Sequence, residues 1–277
     1  MNQPLSPLIQ VTELLELYKS EHVIIVDASN GKNAYENYQH QHLDKALFVD
    51  LNTQLVDIKE DHANGGRHPL PTIEQFSETL SGLGISKESH VVVYDDKNGS
   101  NASARFWWML KAIGHEKVQV LDGGFQEAER VGFPINSEKV ILKKSEPYAI
   151  EDWKLPVSTI EEVEKVAKDH RHIVIDVRDS ERYRGEKEPV DLIAGHIPGA
   201  INIPFTENLN EMGLFLSPEK LKEKYLKAFD AIPTDNIIVH CGSGVTACHT
   251  LLAIACAGLD IPKLYVGSWS EWSRNKV

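Results

Sequence analysis

Short apolar runs alternate with longer stretches of helical period along this chain, and the alternation occurs twice. Val23-Ile24-Ile25-Val26 ends in Asp27, and about 150 residues later Ile173-Val174-Ile175 ends in Asp176. A polar stretch and a histidine follow each: Tyr38 to His42-Leu43, then Gly195-His196-Ile197-Pro198-Gly199-Ala200. Next come the extended runs Leu47-Phe48-Val49 and Ile201-Asn202-Ile203. Val91-Val92-Val93-Tyr94-Asp95 leads into the helical Ala102 to Ile113, as Ile237-Ile238-Val239-His240-Cys241 leads into the helical Ala247 to Ala257. Val118 to Phe125 then parallels Lys263 to Trp269. Strands alternating with helices at this spacing predict α/β architecture with parallel sheets. Landmarks repeated in one order predict an internal duplication.

Helix-period apolar positions predict further helices over Ser6 to Lys19, Thr72 to Leu83, Thr159 to Asp169 and Pro218 to Phe229, behind the N-cap candidates Ser6, Thr72, Ser158 and Ser217. Asn136 to Pro156, rich in Lys, Glu and Pro, has no sustained period and reads as a linker, with a candidate edge strand at Val140-Ile141-Leu142. The boundaries that follow are a first domain over 1–137, a linker over 138–156 and a second domain over 157–277.

Composition changes the picture in a few ways. The net charge of −12, with 29 basic residues scattered along the chain, argues against a nucleic-acid surface, which needs clustered Lys and Arg. No apolar run approaches the ~18 residues of a membrane span, and the start Met1-Asn2-Gln3-Pro4 lacks a basic n-region, so neither membrane nor secretion is expected. The three cysteines, Cys241, Cys248 and Cys256, are too few and too clustered for a disulfide framework. A cytoplasmic, reducing setting fits.

Cys241 carries the candidate chemistry. It stands at the end of a strand and opens the turn Cys241-Gly242-Ser243-Gly244-Val245-Thr246 before a helix. Unpaired backbone N–H groups and the positive end of the helix dipole converge there and favour thiolate over thiol. The glycines let the amides of residues 242 to 246 point at one centre above the sulfur, as a nucleophile handling an anion or an anionic sulfur requires. Ser243, in mid-loop, is the candidate to bond substrate or relay a proton, and Thr246 is the candidate helix cap. Cys248 and Cys256 read as helix packing, His196 as a turn histidine and Arg178 as a partner for Asp176. The spacing of His240, Cys241, Cys248 and His249 does not suit a tetrahedral metal site. No metal or organic cofactor is expected.

Gly195 to Ala200, the loop from Cys241, and Gly267-Ser268-Trp269-Ser270-Glu271-Trp272, taken in that order, resemble the two-domain rhodanese-type sulfurtransferases over nearly the whole chain. The resemblance implies two tandem rhodanese-like α/β domains, each a small parallel sheet flanked by helices. It further implies a first domain without catalysis, where Asp95 stands in place of the cysteine, and a Cys241 persulfide. Within that family the loop is similar to that of 3-mercaptopyruvate sulfurtransferases, because thiosulfate-preferring members place basic residues where this chain has Gly242 and Ser243. A cation about 5 Å from a dianion contributes roughly 3 kcal/mol at an effective dielectric near 20, so the lack of two such cations bears on donor choice. The resemblance assigns Arg182 to the donor's acid group and His68 to the same site, with an acidic companion at Asp50 or Asn52. The family's second arginine is replaced by Val190, which leaves Arg184 and Lys187 as candidates.

The expected partners are a small sulfur donor and a thiol, thioredoxin-like or cyanide acceptor. Thiosulfate:cyanide transfer is the alternative activity. A cysteine phosphatase or arsenate reductase needs an arginine six residues after the cysteine, and this chain has Ala247 there. A rhodanese-fold interaction module commonly lacks the cysteine or the glycine loop, and this chain has both.

Overall fold

The computed structural model describes residues 5–141 and 145–277, which fall into two compact units. One comprises Met1–Asp57, Pro71–Lys154 and Met212–Leu214, and the other Ile58–Leu70, Leu155–Glu211 and Phe215–Val277.

In the first unit the elements run β1 (Leu8–Ile9), α1 (Val11–Leu17), β2 (Val23–Asp27), α2 (Ala34–His40), β3 (His42–Leu43), β4 (Leu47–Phe48), α3 (Leu51–Gln54), α4 (Ile73–Gly82), β5 (His90–Tyr94), α5 (Ala102–Ala112), β6 (Val118–Leu121), α6 (Gly124–Val131) and β7 (Ile135–Asn136). The second unit has β8 (Val157–Ser158), α7 (Ile160–Val166), β9 (Ile173–Asp176), α8 (Ser180–Tyr183), β10 (Ile201–Asn202), α9 (Pro218–Phe229), β11 (Ile237–His240), α10 (Ala247–Cys256), β12 (Lys263–Tyr265) and α11 (Ser268–Asn275).

Each unit holds a five-stranded parallel sheet, ordered β1-β6-β5-β2-β4 in one and β8-β12-β11-β9-β10 in the other. The two orders are the same. Helices cover both faces of such sheets, so their central strands read as apolar runs rather than alternating ones. Val91, Val92 and Val93 are wholly buried, as are Ile237 and Val239.

The duplication extends to side chains. His42 Nδ1 meets the Tyr38 carbonyl at 2.7 Å and its ring stacks on Tyr38, whose hydroxyl donates to the Ala46 carbonyl. His196 Nδ1 meets the Tyr183 carbonyl at 2.8 Å and stacks on Tyr183, whose hydroxyl donates to the Ala200 carbonyl. Both histidines brace turns, which agrees with the turn role expected for His196.

Several expected boundaries shift. The helix expected from Ser6 begins at Val11, because Leu8-Ile9 instead pairs with Val120-Leu121 at the sheet edge. Helix α7 is capped by Thr159 rather than Ser158, which belongs to β8. Val140 and Ile141 form no strand, and Leu142 lies outside the described residues. Ile135-Asn136 pairs antiparallel with His42-Leu43 instead. Among the described residues no helix is long and apolar enough to cross a membrane.

Candidate active site

The loop from Cys241 to Thr246 joins the C-terminal end of β11 to α10. Its backbone is fixed from one side by α11: the Trp269 N–H donates to the Cys241 carbonyl at 3.1 Å and the Ser270 N–H to the Gly242 carbonyl at 2.9 Å. The Cys241 N–H is taken by Ser268 Oγ. Ser268 itself has φ +55, a left-handed conformation rare for a residue with a Cβ, held by its hydroxyl donating to the Tyr265 carbonyl. With two carbonyls turned onto α11, the amides of Gly242, Ser243, Val245 and Thr246 are left without a protein acceptor among the described residues. Gly244 allows the curl: its φ is +75, and a side chain there would run into the Val266 carbonyl. Cys241 lies at the base of the loop, 3 % exposed.

Ser243 Oγ and His68 Nδ1 form a 2.7 Å hydrogen bond. His68 comes from the stretch 58–70, which packs with the second unit although it precedes most of the first in sequence. That stretch is pinned by the Gly65 N–H on Glu271 Oε1, the Arg67 N–H on Ser270 Oγ, and Asn275 Nδ2 on the Ala63 carbonyl.

Arg182, at the end of the short helix α8, donates to Glu188 Oε1 at 2.8 Å and lies 3.4 Å from Asp191 Oδ2. Its guanidinium also stands against Gly242. Burial alone would raise the Glu188 carboxyl, but the Asp191 and Val190 N–H groups and Arg182 outweigh it and hold Glu188 below the usual carboxylate range. Arg178 pairs with Asp176 at 2.6 Å, as expected, and lies over the Trp269 ring. Burial pushes the His240 imidazole below its ordinary value, against the pull of Asp176. Among the described residues no group of three or more His, Cys, Asp or Glu is placed to hold a metal ion.

Three expectations change. Thr246 does stand at the N-cap position of α10, but its backbone is αR and its hydroxyl makes no capping hydrogen bond. Asp50 uses its carboxylate to cap α3 through the Thr53 N–H, and Asn52 bonds Asn30. Arg184 pairs with Glu186 on the surface, and the residue that joins Arg182 near the loop is Arg67, which sequence reasoning passed over for the histidine beside it. Asp191, with its side chain fully buried, was also missed, since a lone aspartate in a loop carries no periodic signal.

In the first unit, Asp95 occupies the position of Cys241. Its carboxylate accepts from the N–H groups of Lys97, Gly99, Asn101 and Ser103 and from Ser103 Oγ. The Phe125 N–H takes the Asp95 carbonyl, as the Trp269 N–H takes that of Cys241. Burial raises the Asp95 carboxyl against these donors.

A family model described as the rhodanese-like domain matches residues 10–130 and 159–275. The chain belongs to the rhodanese family. As a rhodanese of two domains, it is 38 % identical over 236 residues to a probable 3-mercaptopyruvate sulfurtransferase of Pseudomonas aeruginosa, covering 85 % of this chain and 82 % of that one. It is 35 % identical to the thiosulfate sulfurtransferase of Rattus norvegicus, over 90 % of this chain and 84 % of the other. The structure of 3-mercaptopyruvate sulfurtransferase from Leishmania major matches with a TM-score of 0.85 at 28 % identity, covering 98 % of this chain and 76 % of that one. This rhodanese is an enzyme of the sulfurtransferase class.

Proposed function

We propose that this chain moves a sulfane sulfur from 3-mercaptopyruvate to a thiol, a thioredoxin-like dithiol or cyanide through a persulfide on Cys241. The Cys241 thiolate attacks the donor sulfur, an S–S bond forms, and the carbon–sulfur bond breaks with its electron pair leaving on the enolate of pyruvate. The enolate takes a proton at carbon, and the outer sulfur keeps its hydrogen as Cys241–S–SH. An acceptor thiolate then attacks the outer sulfur and releases the Cys241 thiolate. In this reading the amides of Gly242, Ser243, Gly244, Val245 and Thr246 receive the negative charge that develops on sulfur, and Arg182 receives the donor's carboxylate. The first unit is non-catalytic, and the cytoplasm is the setting, since the cycle needs Cys241 as a thiol and a reducing compartment keeps it so.

The hydrogen bond between His68 and Ser243 carries the choice of donor. An enolate must gain a proton, whereas sulfite leaving thiosulfate needs none, so a hydroxyl backed by an imidazole in the nucleophile's own loop serves mercaptopyruvate. The relatives named for that donor at 38 % identity point the same way. The test is kcat/KM for mercaptopyruvate and thiosulfate with one common acceptor, in the native chain and in Ser243→Ala. Mercaptopyruvate is expected to be the better donor natively. Ser243→Ala is expected to lower its kcat by about 10²-fold, the usual scale of proton-transfer catalysis, while thiosulfate changes far less. Equal loss with both donors would remove the proton role.

A further inference from the structure

Gly242 follows the nucleophile directly, and the space above it is bounded by two cations. A Cβ placed on Gly242 would lie 3.2 Å from Arg67 Nη2, 3.4 Å from Arg182 Nη2 and 3.6 Å from Arg182 Nη1. Both guanidinium groups are held from behind. Arg67 Nη1 is on Asp191 Oδ1, while Arg182 is on Glu188 through Nε and Nη2 and reaches Asp191 Oδ2. Arg67 Nη2 and Arg182 Nη1 have no acceptor among the described residues. Arg274, 3.6 Å from Asp191 Oδ1, and Arg178, paired with Asp176 and 3.3 Å from Glu188 Oε2, complete the group. Four arginines against the carboxylates of Asp176, Glu188 and Asp191 leave one positive charge uncompensated, the amount one acid group would neutralise.

Resting on the sulfur-transfer reading above, we infer that Arg67 is a donor-binding residue. It and Arg182 together hold the acid group of the sulfur donor over Gly242, with Asp191 fixing both. The cation missing at Val190, which is 54 % exposed, is supplied from the segment 58–70 instead. Two donors from two separate guanidinium groups suit a carboxylate or a sulfonate-like oxygen pair. Arg67 is pre-placed, because its own N–H is bound by Ser270 Oγ and its neighbour Gly66, with φ +79, fits where a Cβ would strike the Gly267 carbonyl. Ordering Arg67 therefore costs little when the donor arrives.

The test uses two alkylating reagents of nearly equal size on the full chain, iodoacetate and iodoacetamide, which differ in one negative charge. Rates are read on the Cys241 peptide by mass spectrometry. Arg67→Met is expected to slow iodoacetate at Cys241 by roughly tenfold, the scale of one charged hydrogen bond, and to leave iodoacetamide within about twofold. Arg67→Gln, which can still donate to Asp191, is expected to show the same selective loss, and Arg67→Lys to retain most of the native ratio. In parallel, sulfur loading of Cys241 by mercaptopyruvate or thiosulfate is expected to slow in Arg67→Gln, while discharge of the persulfide to the neutral thiol 2-mercaptoethanol keeps its rate. Equal changes with the two reagents, or an unchanged iodoacetate rate, would overturn the assignment, since a merely structural residue would not discriminate by probe charge. If native Cys241 were loaded by thiosulfate and not by mercaptopyruvate, the donor reading would fall while the alkylation ratio still decided the role of Arg67.

Discussion

Cys241 and Asp95 stand at matching positions of the two repeats, yet the amides of Gly242, Ser243, Val245 and Thr246 after Cys241 lack a protein acceptor among the described residues, while Asp95 is saturated by five donors. Cys241→Ser is expected to abolish both sulfur transfer and the gain of one sulfur (~32 Da) after donor treatment without acceptor, since covalent catalysis runs through that atom. Cys248→Ser and Cys256→Ser should keep the mass gain. Sulfur mapped to Cys248 in the native chain would contradict the assignment. The carboxylates at the ends of β2 and β9 differ in a similar way. Asp176 has the Arg178 guanidinium, whereas Asp27 has Ser29 at the corresponding place. Burial accordingly pushes the Asp27 carboxyl up to about 6 from 3.8, against the bonds from Ser29. Between those values the folded chain holds a proton that the unfolded chain has lost, so this group's contribution to stability falls as pH rises from about 4 to 6 and the penalty is complete above that. Asp27→Asn can still accept from the Ser29 N–H. Urea unfolding should show it more stable than the native chain at pH 7, by at most roughly 3 kcal/mol, with the difference vanishing near pH 4. A difference independent of pH would refute this.

At the scale of elements, the loop from Cys241 to Thr246 depends on α11 as much as on α10. The amides of Trp269 and Ser270 turn the carbonyls of Cys241 and Gly242 away, and the Ser268 hydroxyl holds the Cys241 N–H. The segment 58–70 rests on the same helix through Glu271, Ser270 and Asn275. Gly66→Ala tests how closely this fit is set. Its left-handed backbone and the close approach of Gly267 and Ser270 predict a loss of roughly 1–3 kcal/mol in thermal unfolding. Sulfur loading should fall with it, while iodoacetamide still reaches Cys241 at close to the native rate. Unchanged stability and loading together would show that the segment tolerates displacement. Much at this scale was legible in the sequence. The strand-loop-helix around Cys241 follows from a short apolar run, a glycine-rich turn and an apolar helix, and Pro218–Phe229 behind Ser217 follows from its period and cap. Arg182 and His68 rested on the family pattern. Arg67, Asp191 and Glu188 were not legible, because their relation is set by packing between segments more than 100 residues apart in the case of Arg67 and Asp191, where local period is silent.

For the whole molecule, the duplication is visible in strand order, in the histidine–tyrosine braces and in the parallel placing of Phe125 and Trp269. The compact units are nonetheless not two consecutive lengths of chain. Residues 58–70 belong with the second unit, and Met212–Leu214 with the first. Native-state hydrogen exchange in rising denaturant should therefore show the Gly65 and Arg67 amides opening with those of β11 rather than with those of β2 and β5. Protection that follows β2 would place the segment with the first unit's cooperative core. Membership of that segment also limits how such a gene can be cut. A break anywhere in 138–156 would look clean by repeat symmetry, but the downstream half would inherit Cys241 without Arg67 and His68. Recombination that shuffles halves between homologous genes must then co-inherit a short stretch from one piece with a loop from the other. Each repeat thus contributes a stretch that belongs to its twin's compact unit, and on the proposed site neither half of the gene alone would encode every residue that the donor meets.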